Sequence, residues 1–145
     1  MNVVDANVIL SGLRSRNGAS HAVLTEMLRG TIPFAVSPAV MVEYEDLLKR
    51  PGILGPEPWL RPEQIDAVLD ALCDRLTPSC PFFRYRPFLS DPKDDLYIEC
   101  AMAAAATVIV THDRHFQDPA VPAFGIEVLS PREFIVRLTS SRRSS

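Results

Sequence analysis

A chain of 145 residues, 47% hydrophobic and 23% charged, suffices for one domain hiding roughly two thirds of its unfolded surface, and this composition excludes an extended disordered protein. Its three cysteines form no close metal-binding pair, and their odd number suits a reducing interior better than a disulfide framework; a formal charge of −3 leaves no global basic footprint for nucleic acid. No basic leader opens the chain and no apolar run approaches the ~20 residues of a membrane span, so a cytoplasmic protein without a membrane partner is expected.

The first apolar run, Asn2 to Val4, ends on Asp5 and predicts a short buried strand. Ser20 to Arg29 then places Val23, Leu24, Met27 and Leu28 at helical spacing before Gly30, a natural stop. "PFAVSP" predicts a second strand, and its Ser37 can cap the next helix while Pro38 fits the first turn. That helix, "SPAVMVEYEDLLKRPG", stops at Pro51-Gly52 and carries the stripe Val40, Tyr44, Leu47 and Leu48. Glu43 sits on the border of that stripe, where a carboxylate needs either solvent or cationic company.

Four prolines and two glycines between Pro51 and Pro62 mark a connection, and Glu63 to Leu76 reads as another amphipathic helix through Ile65, Val68, Leu69 and Leu72. "CPFFRYRPF" predicts an extended edge segment whose pairing Pro87 limits. Asp91 is placed as the N-cap of a helix starting at Pro92, with an inward stripe of Ile98, Ala101, Met102 and Ala105. "TVIVTHD" follows as a continuous apolar strand, and "GIEVLSPREFIVRL" repeats the order of strand, Ser-Pro start and helix. The alternation predicts an α/β domain over residues 1–139, with a mainly parallel sheet covered on both faces and a frayed polar tail at 140–145.

In such sheets ligands gather at the carboxyl ends of the strands, where Asp5 and Asp113 both emerge. Within "DPKDD" the helical phase puts Asp94 on the stripe of Ile98 and Ala101, and Asp95 toward Glu99; a one-residue change of phase would exchange the two. Each acid has an ordinary structural explanation: turn residues for Asp5 and Asp113, a first-turn carboxylate for Asp94, an amphipathic border for Glu43. Together, four carboxylates aimed at one edge would raise one another's pKa unless a multivalent cation lay among them. Oxygen-only ligands select Mg²⁺ or Mn²⁺, and the chemistry such a site supports is phosphodiester hydrolysis by an activated water.

The blocks "VVDANVILSGL", "SPAVMVEYEDLLKRPG", "DPKDDLYIECAMAAAATVIVTHDRHF" and "GIEVLSPREFI", in this order, resemble the PIN-domain proteins of toxin–antitoxin systems, akin to the VapC ribonucleases. The resemblance implies a three-layer α/β/α domain and a metal-dependent ribonuclease with catalytic and metal-binding acids at Asp5, Glu43, Asp94 and Asp113. It also matches Asn7 and Thr111 to small polar supporting positions, and it implies a small antitoxin partner and a homodimer; Asp91, from its cap position, and Asp95, from helical phase, are further supporting candidates. One departure is Ala6, where the family often carries threonine, so that hydroxyl is absent here.

Two bound divalent ions would carry the formal charge from −3 to +1, so the acidic balance does not exclude an RNA substrate. Candidate phosphate contacts are Arg84 and Arg86 around Tyr85, Lys93, and Arg114 after the last aspartate, since single-strand grooves mix basic and aromatic groups. His112 and His115 lack the helical spacing of a zinc pair, and Cys100 reads as a packing residue. A receiver-like phosphoacceptor would want a lysine after a later strand, and the six glycines form no phosphate loop. The competing function is a catalytically silent module of the same fold that works by binding a partner protein or RNA.

Overall fold

The computed structural model describes residues 1–56, 58–81, 92–113 and 120–144, the side chains of 92–94, 120, 123 and 144 excepted. Its strands are β1 (Asn2–Val4), β2 (Ala35–Val36), β3 (Thr77–Pro78), β4 (Val108–Val110) and β5 (Glu127–Leu129). β4 lies between β1 and β5, β2 pairs with β3, and a bridge from Asn2 to Phe34 joins the two groups, giving the order β3-β2-β1-β4-β5. All these pairings are parallel. Successive residues of a strand face opposite sides of a sheet, and Val3, Val4, Ile109 and Val110 are all fully buried, so both faces are covered. The α/β architecture with a mainly parallel sheet is therefore as the alternation predicts.

The helices are α1 (Ala6–Arg14), α2 (Ala19–Arg29), α3 (Pro38–Leu48), α4 (Pro62–Arg75), α5 (Pro92–Ala103), the short α6 (Ala120–Ala123) and α7 (Pro131–Ser144). In α3 the Ser37 hydroxyl accepts the Val40 N–H at 3.2 Å with Pro38 in the first turn, and Val40, Tyr44 and Leu48 are buried, as its sequence predicts. Ser130 and Glu133 cap α7 reciprocally, each side chain accepting the other's backbone N–H.

The sequence reading assigns neither β3 nor α6, and it differs at α1 and at the tail. Residues 6–14 form α1, which that reading did not assign, and Asp5 caps it by accepting the Asn7 N–H at 3.2 Å. The expected fraying of the tail is corrected for residues 140–144, because α7 runs through Ser144 and the Arg142 guanidinium forks onto Glu26 of α2, at 3.2 and 2.7 Å. Polar composition suggested disorder there; a two-pronged ion pair to a distant helix supplies what composition cannot. Among the described residues no helix is long and apolar enough to cross a membrane.

The Glu26 carboxyl is held at a pKa of about 2, first by Arg142 and then by Thr31. A depressed acid stabilises the fold above its ordinary pKa of 4.5 and loses that contribution as pH falls from about 4.5 toward 2. Arg142 is half exposed, with 51% of its side chain open, so solvent screening leaves the pair only a modest contribution. Arg142→Ala is expected to lower the urea midpoint slightly at pH 7 and to match the wild type near pH 2. Equal midpoints at pH 7 would show that α7 docks without this pair.

Gly12 explains how closely α1 and α2 pack. A Cβ at this position would lie 2.9 Å from the Ser20 carbonyl oxygen and 3.2 Å from Leu24 Cβ. Gly12→Ala therefore gains about 1 kcal/mol of helix propensity but meets backbone that cannot swing aside, an overpacking cost of about 1–3 kcal/mol. The expected net result in urea unfolding is a loss of about 1 kcal/mol, and a more stable Gly12→Ala protein would contradict the contact.

Candidate active site

The register of the sheet assembles the centre of the site. Val4 pairs with Val110, and the Asp5 N–H extends the ladder onto the Val110 carbonyl at 2.9 Å. The next residue on each strand is then Asp5 or Thr111, side by side at the carboxyl edge, and the Thr111 hydroxyl donates to Asp5 Oδ2 at 2.7 Å. The same hydroxyl oxygen accepts the Asp113 N–H at 2.9 Å, so one threonine links the two aspartates. Asp5 is buried with 4% exposure, whereas Asp113 is half-buried.

Burial pushes the Asp5 carboxyl above its ordinary value, against the hydrogen bonds from Thr111 and the Asn7 amide, and the Asp113 charge adds to the rise. The two anions thus act on each other at the place where the parallel sheet opens to ligands. A cation beside them would relieve both the desolvation and the repulsion.

Two tyrosines hold this turn in place, and neither was singled out as a functional residue in the sequence. Tyr44, fully buried on α3, donates its hydroxyl to the Val4 carbonyl at 2.5 Å. Tyr97, 3% exposed on α5, accepts the Ala6 N–H at 3.1 Å and bonds the Asp5 carboxylate. Burial first and the Asp5 charge next push the Tyr97 hydroxyl far above its usual pKa, and the Glu43 charge adds to the effect. It therefore stays protonated and can donate to Asp5. Ala6 has no hydroxyl to offer; Tyr97, 91 residues further on, brings one to the same turn.

Glu43 is half-buried beside Tyr44, at the border position its spacing indicates, and its charge reaches the Tyr97 hydroxyl. The phase reading of α5 needs correction. Asp95 and Glu99 were placed away from the inward stripe, yet both are buried, at 2% and 5% exposure, while Ala105 at the end of that stripe is exposed. Residues 97–101 are buried in succession, so α5 is enclosed on most sides and helical phase does not separate a dry face from a wet one.

Asn7 is exposed on the first turn of α1 and contributes its backbone N–H to Asp5, and Thr111 takes the supporting place expected of it. Asp94 and Lys93 lie in the first turn of α5, their side chains outside the described residues; Arg84, Arg86, Asp91, Arg114 and His115 also lie outside them. His112 bonds Ser20 through Nε2 at 3.0 Å. Among the described residues no group of three or more His, Cys, Asp or Glu side chains is gathered closely enough to cage a metal by itself. A cavity of about 390 Å³ lies elsewhere, between the end of α3, the following connection and α4; Leu48, Ile53, Leu54, Leu60 and Ile65 wall it, and it includes none of the candidate acids.

The donor set among the described residues, carboxylates and hydroxyls, suits a hard cation that keeps part of its water shell. Mg²⁺ commonly binds through one or two carboxylates, so the lack of a three-residue cage among the described residues does not conflict with a site at Asp5 and Asp113.

Comparison with known proteins agrees with the architecture. No curated protein matches the chain. Among solved structures, VapBC2 from Rickettsia felis, bound to a DNA fragment from their promoter, superposes with a TM-score of 0.58 at 15% identity, over 89% of this chain and 97% of that one. At this identity the likeness concerns the fold. The family model described as PIN domain matches residues 2–115, from β1 past Asp113, so its span includes Asp5, Glu43, Thr111 and Asp113. With a match over most of its length and a parallel α/β sheet carrying acids at its carboxyl edge, the chain belongs to the PIN domain family.

Proposed function

We propose that this protein is a metal-dependent endoribonuclease, the toxin of a toxin–antitoxin pair acting in the cytoplasm. The observation that carries the reading is the Asp5 carboxylate, buried at the end of β1, hydrogen-bonded by Thr111 and raised in pKa by burial and by Asp113. A group so placed costs the fold stability, and a divalent cation would repay that cost.

Asp5, Asp113 and Glu43 would hold Mg²⁺ or Mn²⁺, with one further carboxylate from the Asp94–Asp95 pair at the start of α5. Such an ion, when bound, supplies an activated water and offsets charge on the cleaved phosphodiester. The chain's own groups do the rest. Thr111 keeps Asp5 and Asp113 in register, Tyr97 and Tyr44 fix the β1–α1 turn, and the exposed side of Asp113 admits substrate. Lys93, Arg84, Arg86 and Arg114 are the expected phosphate contacts. The fold shared with VapBC2 supports a small antitoxin partner, and the motif resemblance to toxin–antitoxin PIN proteins implies a homodimer.

A catalytically silent binding module of the same fold is the second reading. Incubating the purified chain with single-stranded and structured RNA in Mn²⁺, Mg²⁺ or chelator separates the two. The nuclease reading expects cleavage with either ion and none with chelator; intact RNA in all three leaves the silent module.

A further inference from the structure

We propose that Trp59, backed by Arg16 and His21, is a stacking subsite for an unpaired base of single-stranded RNA, next to the acidic edge. This rests on the ribonuclease reading for its substrate class. Trp59 is the chain's single tryptophan, and it is 38% exposed in the connection between α3 and α4. The Arg16 guanidinium, from the exposed α1–α2 loop, stands 4.4 Å from the ring centroid. The His21 ring meets it edge-on at 6.2 Å and 72°. A large aromatic surface left open beside a cation is the combination single-stranded nucleic acid favours: every base has a π-face to stack, and a phosphate follows within reach of the guanidinium.

The local charge agrees. Arg14 spends its Nε on the Ile53 carbonyl at 2.8 Å, and neither Arg14 nor Arg16 forms an ion pair among the described residues. Both arginines are exposed to solvent, in a chain of formal charge −3. The His21 ring is itself anchored. His21 Nδ1 meets the Gly12 carbonyl at 2.9 Å, and Gly12 is where α1 and α2 pack without room for a Cβ.

Its position is joined to the acids by a short path. His21 follows Ser20, Ser20 Oγ bonds His112 Nε2 at 3.0 Å, and His112 directly precedes Asp113. A strand lying across Asp113 can therefore continue onto Trp59 within a few nucleotides. Duplex RNA cannot do this, because its bases remain stacked on one another.

The test uses the full chain in chelator, so that no cleavage intervenes, and a single-stranded RNA of about ten nucleotides. Tryptophan emission, which comes from Trp59 alone, is expected to be quenched saturably by the single strand and not by its duplex. Anisotropy of a fluorescein-labelled strand is expected to show ~10-fold weaker binding for Trp59→Ala, a smaller loss for Arg16→Gln, and near-native binding for Trp59→Tyr. The tyrosine variant keeps the packing if Trp59→Ala fails to fold. Saturable binding with unchanged tryptophan emission, or Trp59→Ala binding as tightly as wild type, overturns the subsite and leaves the patch to a protein partner. If the wild type cleaves RNA in Mn²⁺ and Trp59→Ala does so with an unchanged KM, the subsite is lost and the nuclease stands. If the wild type neither binds nor cleaves, both are lost.

Discussion

Asp5→Asn is expected to lower RNA cleavage in Mn²⁺ by roughly a hundred-fold or more while the protein stays folded. Partners that merely orient a metal ligand cost about 10–100-fold when removed, so losing the ligand itself should reach at least the top of that range. The fold survives because asparagine serves as well as aspartate at a helix N-cap, and its carbonyl can still accept the Asn7 N–H. Toward Thr111 the amide donates instead of accepting, which a hydroxyl with two lone pairs can take up. In chelator the variant should melt at or above the wild-type temperature, since a buried, disfavoured charge has gone. Added Mn²⁺ should raise the wild-type melting temperature and leave that of Asp5→Asn where it was. Asp113→Asn is expected to act in the same direction on cleavage. Wild-type rates in both variants would remove the aspartates from the chemistry, whatever the melting curves show.

Thr111→Val should cost both stability and activity, which distinguishes it from Asp5→Asn. Valine keeps the branched shape but removes the hydroxyl that donates to Asp5 Oδ2 and accepts the Asp113 N–H. The Asp113 N–H then lacks its acceptor and the buried Asp5 carboxylate lacks its 2.7 Å hydrogen bond, a loss of about 1–3 kcal/mol. Without that link the two acids can drift apart, and misplaced ligands weaken metal affinity by about 10–100-fold. Urea unfolding measures the first effect, and titration with Mn²⁺, followed by the electron paramagnetic resonance of the free ion, measures the second. Thr111→Ser, which retains the hydroxyl, should recover most of both. A destabilised Thr111→Val with unaltered Mn²⁺ affinity would make Thr111 a packing residue only. Tyr97→Phe provides a companion measurement from the other side of Asp5, since it deletes only the hydroxyl shared between Ala6 and that carboxylate.

What could be read from the chain was whatever depends on neighbours a few residues apart. Ser37 and Pro38 announce α3, Ser130 and Pro131 announce α7, and apolar runs closed by Asp5 and Thr111-His112-Asp113 mark strand ends. These signals are caps, turns and periodicities, all local, and so the α/β alternation and the carboxyl-edge acids were legible. α1 is also written locally, in Val8, Ile9, Leu10 and Leu13 behind the Asp5 cap, and it follows its strand with no intervening loop.

Tertiary structure alone decided which distant groups meet. The hydroxyl that steadies Asp5 comes from Thr111, 106 residues away, and the one on the Ala6 amide from Tyr97, 91 residues away; no periodicity relates such positions. Nor could helical phase show that Asp95 and Glu99 are buried, because phase orders the faces of one helix and says nothing of how many neighbours enclose it. Trp59 stood in a proline-rich connection without any sign that Arg16 and His21 would close on it. Sequence determines where each segment can turn, coil or extend through short-range sterics and hydrogen bonding. Which side chains share a site follows from packing those segments into one dry core, a condition imposed on the whole chain at once.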